Sequence, residues 1–299
     1  MNKKVLVVGA TGYLGGKVVQ GLLEHNKTVR ALVRPSTDAS SLGKLGVEIV
    51  RGDMMNKESL IPALQGVDVL ITTANGYSQR KKGDTIATDD LGNRNLVDAA
   101  KATNLPLFIF TGILTADKAR SVPHFYQKAL TEEYIEKSNV PFISLRPGGF
   151  IDTLLGFSLN DIRNGKFRAM ADVKAMASTI LSDDVARFLV ESVDKPAAIG
   201  KRIDIGMDKP TNLIEITEML SKTIHKPIQL QEMPLFVRKA MFGFMSIFNS
   251  FMRDNSAAMD YVSSGQYVAD ITQQRNLFGY VPTLADSLQR WAKENKFIN

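Results

Sequence analysis

The 299-residue chain contains no cysteine. Disulfides, thiolate metal sites, iron–sulfur clusters and a cysteine nucleophile are therefore excluded, and a reducing compartment fits the composition. Histidine is scarce. His25, His124 and His225 stand far apart, without a His-x-x-x-His pair or an acidic cluster, so no metal site is expected. Long apolar runs are also missing. The run at 5–8 breaks into glycines, too short for the core of a signal peptide. The longest apolar stretch near the C-terminus, 240–252, has 13 residues, against roughly 20 needed to cross a bilayer. The expectation is a cytoplasmic protein with no integral membrane segment.

What is present is ordinary for a globular chain: 44% hydrophobic and 23% charged residues. The length suggests one main domain with a smaller unit attached. Net charge is +6, spread along the chain, with Arg80-Lys81-Lys82 the nearest thing to a run. No aromatic interleaving accompanies that run, so it reads as a solvated loop and no nucleic-acid partner is expected. A modest basic bias does suit an anionic small molecule.

Short β-rich runs at 3–8, 28–33, 47–50, 67–73, 107–111 and 142–145 alternate with amphipathic stretches at 15–25, 57–64, 84–103 and 125–138. Several runs are continuously apolar, as parallel strands covered on both faces require. The alternation predicts an α/β fold, a doubly wound parallel sheet of the Rossmann type. After Pro147 the rhythm changes. A loop and helix at 151–165, a helix at 182–193, an added strand at 202–205 and a helix at 211–224 capped by Thr211 or Asn212 are expected. The organisation expected is a dinucleotide-binding domain over 1–150 plus about 179–206. A smaller, mainly helical substrate unit takes 151–178 and 207–299.

The strongest local signal follows the first strand: Gly9-Ala10-Thr11-Gly12-Tyr13-Leu14-Gly15-Gly16. Glycines at this spacing let backbone approach a pyrophosphate, and the next helix offers N–H groups and a positive dipole end. Gly9, Thr11, Gly12, Tyr13 and Leu14 are the expected phosphate-binding turn. An acid usually ends the second strand and holds the ribose 2′-hydroxyl. Here Arg34 stands in that place. A guanidinium pairs with a 2′-phosphate, so NADP(H) is expected over NAD(H); an ordinary exposed arginine is the alternative. Asp53 and Met54, after the third strand, are placed to meet adenine. Thr73, Ala74 and Asn75 end the fourth strand beside the switch point where ligands bind.

Gly-Ala-Thr-Gly-Tyr-Leu-Gly at 9–15, Leu-Val-Arg at 32–34 and Gly-Asp at 52–53 resemble the atypical short-chain dehydrogenase/reductases. His124-Phe125-Tyr126-Gln127-Lys128, Ser144-Leu145-Arg146-Pro147-Gly148-Gly149-Phe150 and Ser182-Asp183-Asp184-Val185-Ala186 are similar to the NmrA-like branch. The likeness covers roughly 1–205. It implies a catalytic Tyr-x-x-x-Lys pair, with the lysine on the nicotinamide ribose, and a Ser or Thr after the fifth strand. The chain departs from this: His124 stands four residues before Lys128, and Tyr126 lies about 200° round a helix from it. Lys128 is then expected to bind cofactor, with His124 or Lys128 assisting proton transfer. Thr111 and Thr115 are candidates for the hydroxyl. Gly149 is expected against the cofactor, and Thr111 and Phe150 on the substrate side. The Phe- and Met-rich stretch 236–252, with Arg238 and Lys239, reads as core, as a pocket wall or as a surface for a partner or membrane.

The expected function is reduction by NADPH of a small apolar carbonyl, quinone or conjugated substrate. The alternative is a non-catalytic NADP(H)-dependent sensor acting through a protein partner. A homodimer is left open.

Overall fold

The computed structural model describes residues 2–77 and 85–298. Arg80-Lys81-Lys82 and Asp84 lie outside them, as do the side chains of Arg238 and Lys239. The first half of the chain runs β1 (Lys4–Val8), α1 (Tyr13–Glu24), β2 (Thr28–Val33), α2 (Ser40–Lys44), β3 (Glu48–Arg51), α3 (Leu60–Leu64), β4 (Val69–Thr72), a π-helical segment (Thr85–Gly92), α4 (Asn93–Ala102), β5 (Leu107–Thr111), α5 (Pro123–Ser138) and β6 (Phe142–Pro147). The rest runs β7 (Gly149–Phe150), α6 (Ile151–Phe157), α7 (Leu159–Arg163), β8 (Lys166–Ala169), β9 (Thr179–Ile180), α8 (Ser182–Ser192), β10 (Lys201–Ile205), α9 (Leu213–Thr223), β11 (Gln229–Glu232), α10 (Leu235–Phe248), α11 (Ser250–Ser263), α12 (Thr272–Phe278) and α13 (Leu284–Glu294).

Two compact units result: 1–146 with 183–203, and 147–182 with 204–299. The first is built on a seven-stranded sheet of order β10-β6-β5-β4-β1-β2-β3. Strands β1 to β6 pair in parallel along it. The direction of chain progress reverses between β1 and β4, which makes their carboxyl ends the switch point of a Rossmann-like fold. The strand sequences explain the sheet. Val5, Leu6 and Val7 of β1 and Leu70 and Ile71 of β4 are fully buried, as strands covered on both faces must be. Helix α1 buries Val18, Val19 and Leu22 at helical spacing.

The stretch 84–103 departs from the expected single helix. Thr85–Gly92 is π-helical before α4 begins. Buried polar side chains account for it by competing for backbone groups. Asn93 Nδ2 donates to the Thr88 and Asp89 carbonyls at 2.8 and 3.3 Å. Asn93 Oδ1 accepts from the Thr72 hydroxyl at 3.0 Å, and the Thr131 hydroxyl reaches the Asp89 carbonyl at 2.7 Å.

The second unit is helical with short strands the sequence pattern did not reveal: β7 pairs with β9 and β8 with β11, both in parallel. Strands of two and four residues are too short to show periodicity. Its core gathers Phe167, Leu220, Leu288 and Trp291, with Trp291 stacked on Phe297 at 5.4 Å. Asn212 caps α9, accepting from the Glu215 N–H at 2.9 Å. The Phe- and Met-rich stretch forms α10 and the start of α11; Phe242 is buried, whereas Phe236 and Phe244 are exposed.

A buried ionic link ties α5 to the sheet of the first unit. Glu132 is fully buried and takes Arg146 in a two-pronged grip, with Nε to Oε1 at 2.9 Å and Nη2 to Oε2 at 2.5 Å. Ser144 donates to the same carboxylate at 2.5 Å. Replacing Glu132 strips Arg146 of its fully buried carboxylate and leaves it the exposed Asp117 at 3.1 Å. Glu132→Gln is therefore expected to lower unfolding free energy by about 3 kcal/mol, read by urea denaturation.

Candidate nucleotide-binding site

The glycine turn joins β1 to α1. Gly9 has a φ of 85°, open to glycine at little cost. Its carbonyl accepts from the Gly12 N–H at 2.9 Å, and the Gly12 carbonyl from the Gly16 N–H at 2.8 Å. The glycines differ in what surrounds them. A Cβ on Gly15 would lie 2.0 Å from the Gly9 carbonyl oxygen and 2.9 Å from the Thr73 hydroxyl. A Cβ on Gly12 would meet only the Gly9 oxygen, at 3.1 Å. Gly15 is thus required by the packing of α1 on β1, while a side chain at Gly12 would meet one tight neighbour, the Gly9 oxygen. Gly12 gives α1 no capping side chain, and its first turn holds no acid. An anion placed there meets backbone N–H groups and the positive helix end. Thr11 and Tyr13 are exposed and Leu14 is half-buried; Lys17 lies over the Tyr13 ring at 4.9 Å.

Arg34 leaves the end of β2 exposed, and among the described residues no carboxylate lies within ion-pair distance of it. Arg51 at the end of β3, not singled out from the sequence, donates from Nη1 to the Arg34 and Thr37 carbonyls at 3.1 and 2.7 Å. Asp53 Oδ1 accepts from the Met55 N–H at 2.9 Å, so part of that carboxylate shapes its own turn. Met54 packs on Gly92, where a Cβ would come within 2.7 Å of its Cε. Thr73 turns its hydroxyl to the Val8 carbonyl at 3.1 Å and closes β4 onto β1. Asn75 is exposed and Ala74 half-buried.

Helix α5 places His124 and Lys128 on one face, both buried. The Lys128 ammonium donates to the Ala74 and Thr111 carbonyls, each at 3.1 Å, and lies 3.3 Å from Asp89 Oδ1. Asp89 Oδ2 accepts from the Gly76 N–H at 3.2 Å. Burial raises the Asp89 carboxyl above its ordinary value, opposed by Lys128 and, more weakly, His124. The His124 ring stacks on Tyr77 at 4.3 Å. Tyr126 lies elsewhere on α5, with the Arg120 guanidinium 6.0 Å from its ring. Of the two threonines, Thr115 gives its hydroxyl to the Leu114 carbonyl at 2.7 Å. The Thr111 hydroxyl is buried with no hydrogen-bond partner, a state that costs about 1–3 kcal/mol unless a ligand satisfies it.

Gly149 and Phe150 belong to the second unit, where both are half-buried and the Gly149 N–H donates to the Ser178 carbonyl at 3.0 Å. Tyr267, missed in the sequence, lies beside Gly149; burial pushes its phenol well above the usual range. Asp89 and Tyr77 were also missed. The acid pair Asp89-Asp90 inside a helical pattern was the available signal for the first, and nothing marked the second. Among the described residues no cluster of metal-ligating side chains occurs, and no helix is long and apolar enough to cross a membrane.

The family model for the NmrA-like family matches residues 1–272. The photosystem II assembly factor Ycf39 of Synechocystis is 26% identical over 297 residues, covering 97% of this chain and 90% of that protein. Its namesake from Cyanophora paradoxa is 33% identical over 189 residues, spanning 63% of this chain and 59% of the relative. Among solved structures, an NADPH-dependent quinone oxidoreductase of Escherichia coli in complex with NADPH superposes with a TM-score of 0.80. That match has 21% identity over 96% of this chain and 99% of the other, and it is a likeness of fold.

The two glycines separate packing from ligand space. Gly15→Ala should destabilise the fold by at least about 2 kcal/mol in urea melts, because backbone has to move. Gly12→Val, whose Cβ meets the Gly9 oxygen at 3.1 Å, should cost less in the melt than Gly15→Ala and should abolish NADPH binding in isothermal titration.

Proposed function

Because the chain belongs to the NmrA-like family, we propose that its first unit binds NADP(H) and that it reduces a small, largely apolar carbonyl, quinone or conjugated substrate. The observation that carries the reading is the pairing of an uncapped α1 N-terminus at Gly12 with an exposed Arg34 where a carboxylate would otherwise select NAD(H). The buried Thr111 hydroxyl, without a partner beside Lys128, supports it: a ribose hydroxyl would satisfy it. The residues therefore fit this cofactor. NADPH bound there supplies a hydride; the substrate carbon accepts it, and the substrate oxygen takes a proton.

The first-turn amides of α1 hold the pyrophosphate. Arg34 pairs with the 2′-phosphate and Asp53 with the adenine amino group. Met54 covers the ring, and Thr73, Ala74 and Asn75 line the approach. Lys128 exchanges one internal partner for the nicotinamide ribose and keeps positive charge near the developing alkoxide. His124, one turn away on the same face, donates the proton. Its stacking on Tyr77 holds the imidazole plane.

A second reading, a cofactor-dependent sensor working through a protein partner, is favoured by one observation. The Lys128 ammonium is already engaged by two carbonyls and a carboxylate inside the chain. The assembly-factor names of the relatives agree with it. Steady-state NADPH oxidation over a panel of carbonyls and quinones separates the two. Turnover supports the reductase; cofactor-dependent capture of a partner without turnover supports the sensor.

Arg34→Glu should weaken NADPH binding far more than NADH binding in isothermal titration, through lost pairing and new repulsion; equal losses would leave Arg34 a bystander. Lys128→Met should weaken NADPH binding and turnover together. His124→Ala should cost turnover about 10²–10⁴-fold at unchanged NADPH affinity. Tyr126→Phe should change neither, and a loss there would overturn the helix register argued for α5.

A further inference from the structure

We infer that Arg51 supplies a second guanidinium to the 2′-phosphate and thereby sets selectivity for NADPH over NADH. The inference rests on the reading of Arg34 as the first. In the parallel pairing of β2 with β3, Val33 is the register partner of Arg51. Arg34, one residue on, therefore leaves the sheet at the same edge and level. Arg51 Nη1 gives its hydrogens to the Arg34 and Thr37 carbonyls at 3.1 and 2.7 Å. These bonds fix the guanidinium across the turn Arg34-Pro35-Ser36-Thr37 and remove rotamer freedom before any ligand arrives.

Nη1 alone is used. No acceptor for Nε or Nη2 and no carboxylate within ion-pair distance of Arg51 occurs among the described residues. The acid in the same loop, Asp38, is committed to Ser40, accepting from its N–H at 2.9 Å and its hydroxyl at 3.2 Å. Those bonds hold its carboxyl below the usual value, with a smaller contribution from the charge of Arg51. Two exposed guanidinium groups thus share one turn. Their mutual repulsion is relieved by a dianion, and the five-donor fork of arginine can hold two carbonyls with one nitrogen and phosphate oxygens with the others. NADH has no dianion to place there.

The test is isothermal titration of wild type, Arg51→Leu and Arg51→Lys with NADPH, NADH, adenosine 2′,5′-bisphosphate and adenosine 5′-monophosphate, beside thermal melts. For Arg51→Leu, the dissociation constants of NADPH and the bisphosphate should rise at least about tenfold. Those of NADH and the monophosphate should stay unchanged. Arg51→Lys, which keeps charge without the fork, should fall between. An equal loss for all four ligands would mean that Arg51 only shapes the turn, and overturns the inference. So does unchanged NADPH affinity in Arg51→Leu when wild type prefers NADPH. A wild type without preference for NADPH over NADH overturns the Arg34 reading, and this inference with it.

Discussion

The first unit depends on how closely α1 approaches β1. A single added carbon at Gly15 would sit 2.0 Å from the carbonyl oxygen of Gly9. Only glycine permits that approach, and three consequences follow from it. The amino end of α1 points at the space above the switch point. Gly9 adopts the positive φ that turns the chain into the helix. Thr73, at the end of β4, closes on Val8 and brings its strand to the same edge. The glycine turn is thus a product of packing: the glycines let the helix sit down on the strand.

The second constraint is burial of charge. Lys128 and Asp89 are nearly or fully buried and lie at the carboxyl ends of β4 and β5 through their partners Ala74, Gly76 and Thr111. A buried ammonium needs this many partners. The same arrangement fixes where the ammonium stands, and that place is beside Thr111, a strand-end threonine whose hydroxyl has no hydrogen-bond partner. The π-helical turn is part of the arrangement, since it directs the Asp89 carboxylate inward while Asn93 and Thr131 take up backbone carbonyls. Fold and site share these residues, so structural and chemical roles have to be separated by isosteric changes.

Much of the first unit was legible because its strands are apolar on both faces and its helices keep a helical period. The second and fifth strands were delimited to the residue, and the face shared by His124 and Lys128 follows from a four-residue spacing on α5. Three kinds of feature were hidden. The small strands of the second unit are too short to carry periodicity. The π-helical turn arises from the side-chain bonds of Asn93 and Thr131, which no local pattern encodes. The partners of Lys128 come from β4, β5 and the π-helical turn, far apart in sequence, so the lysine could be named but not its setting. Arg51 was hidden for the same reason: its role depends on the alignment of β3 with β2.

The central claim is that the turn after β1 and Lys128 hold two parts of one NADPH molecule. A crystal structure of the protein with NADPH tests it most directly. The account predicts pyrophosphate oxygens on the N–H groups at the start of α1, over Gly12, and Lys128 Nζ within hydrogen-bond distance of the nicotinamide ribose. A cofactor bound away from that turn, or a Lys128 that keeps only Ala74, Thr111 and Asp89 as partners while NADPH occupies the site, would contradict it.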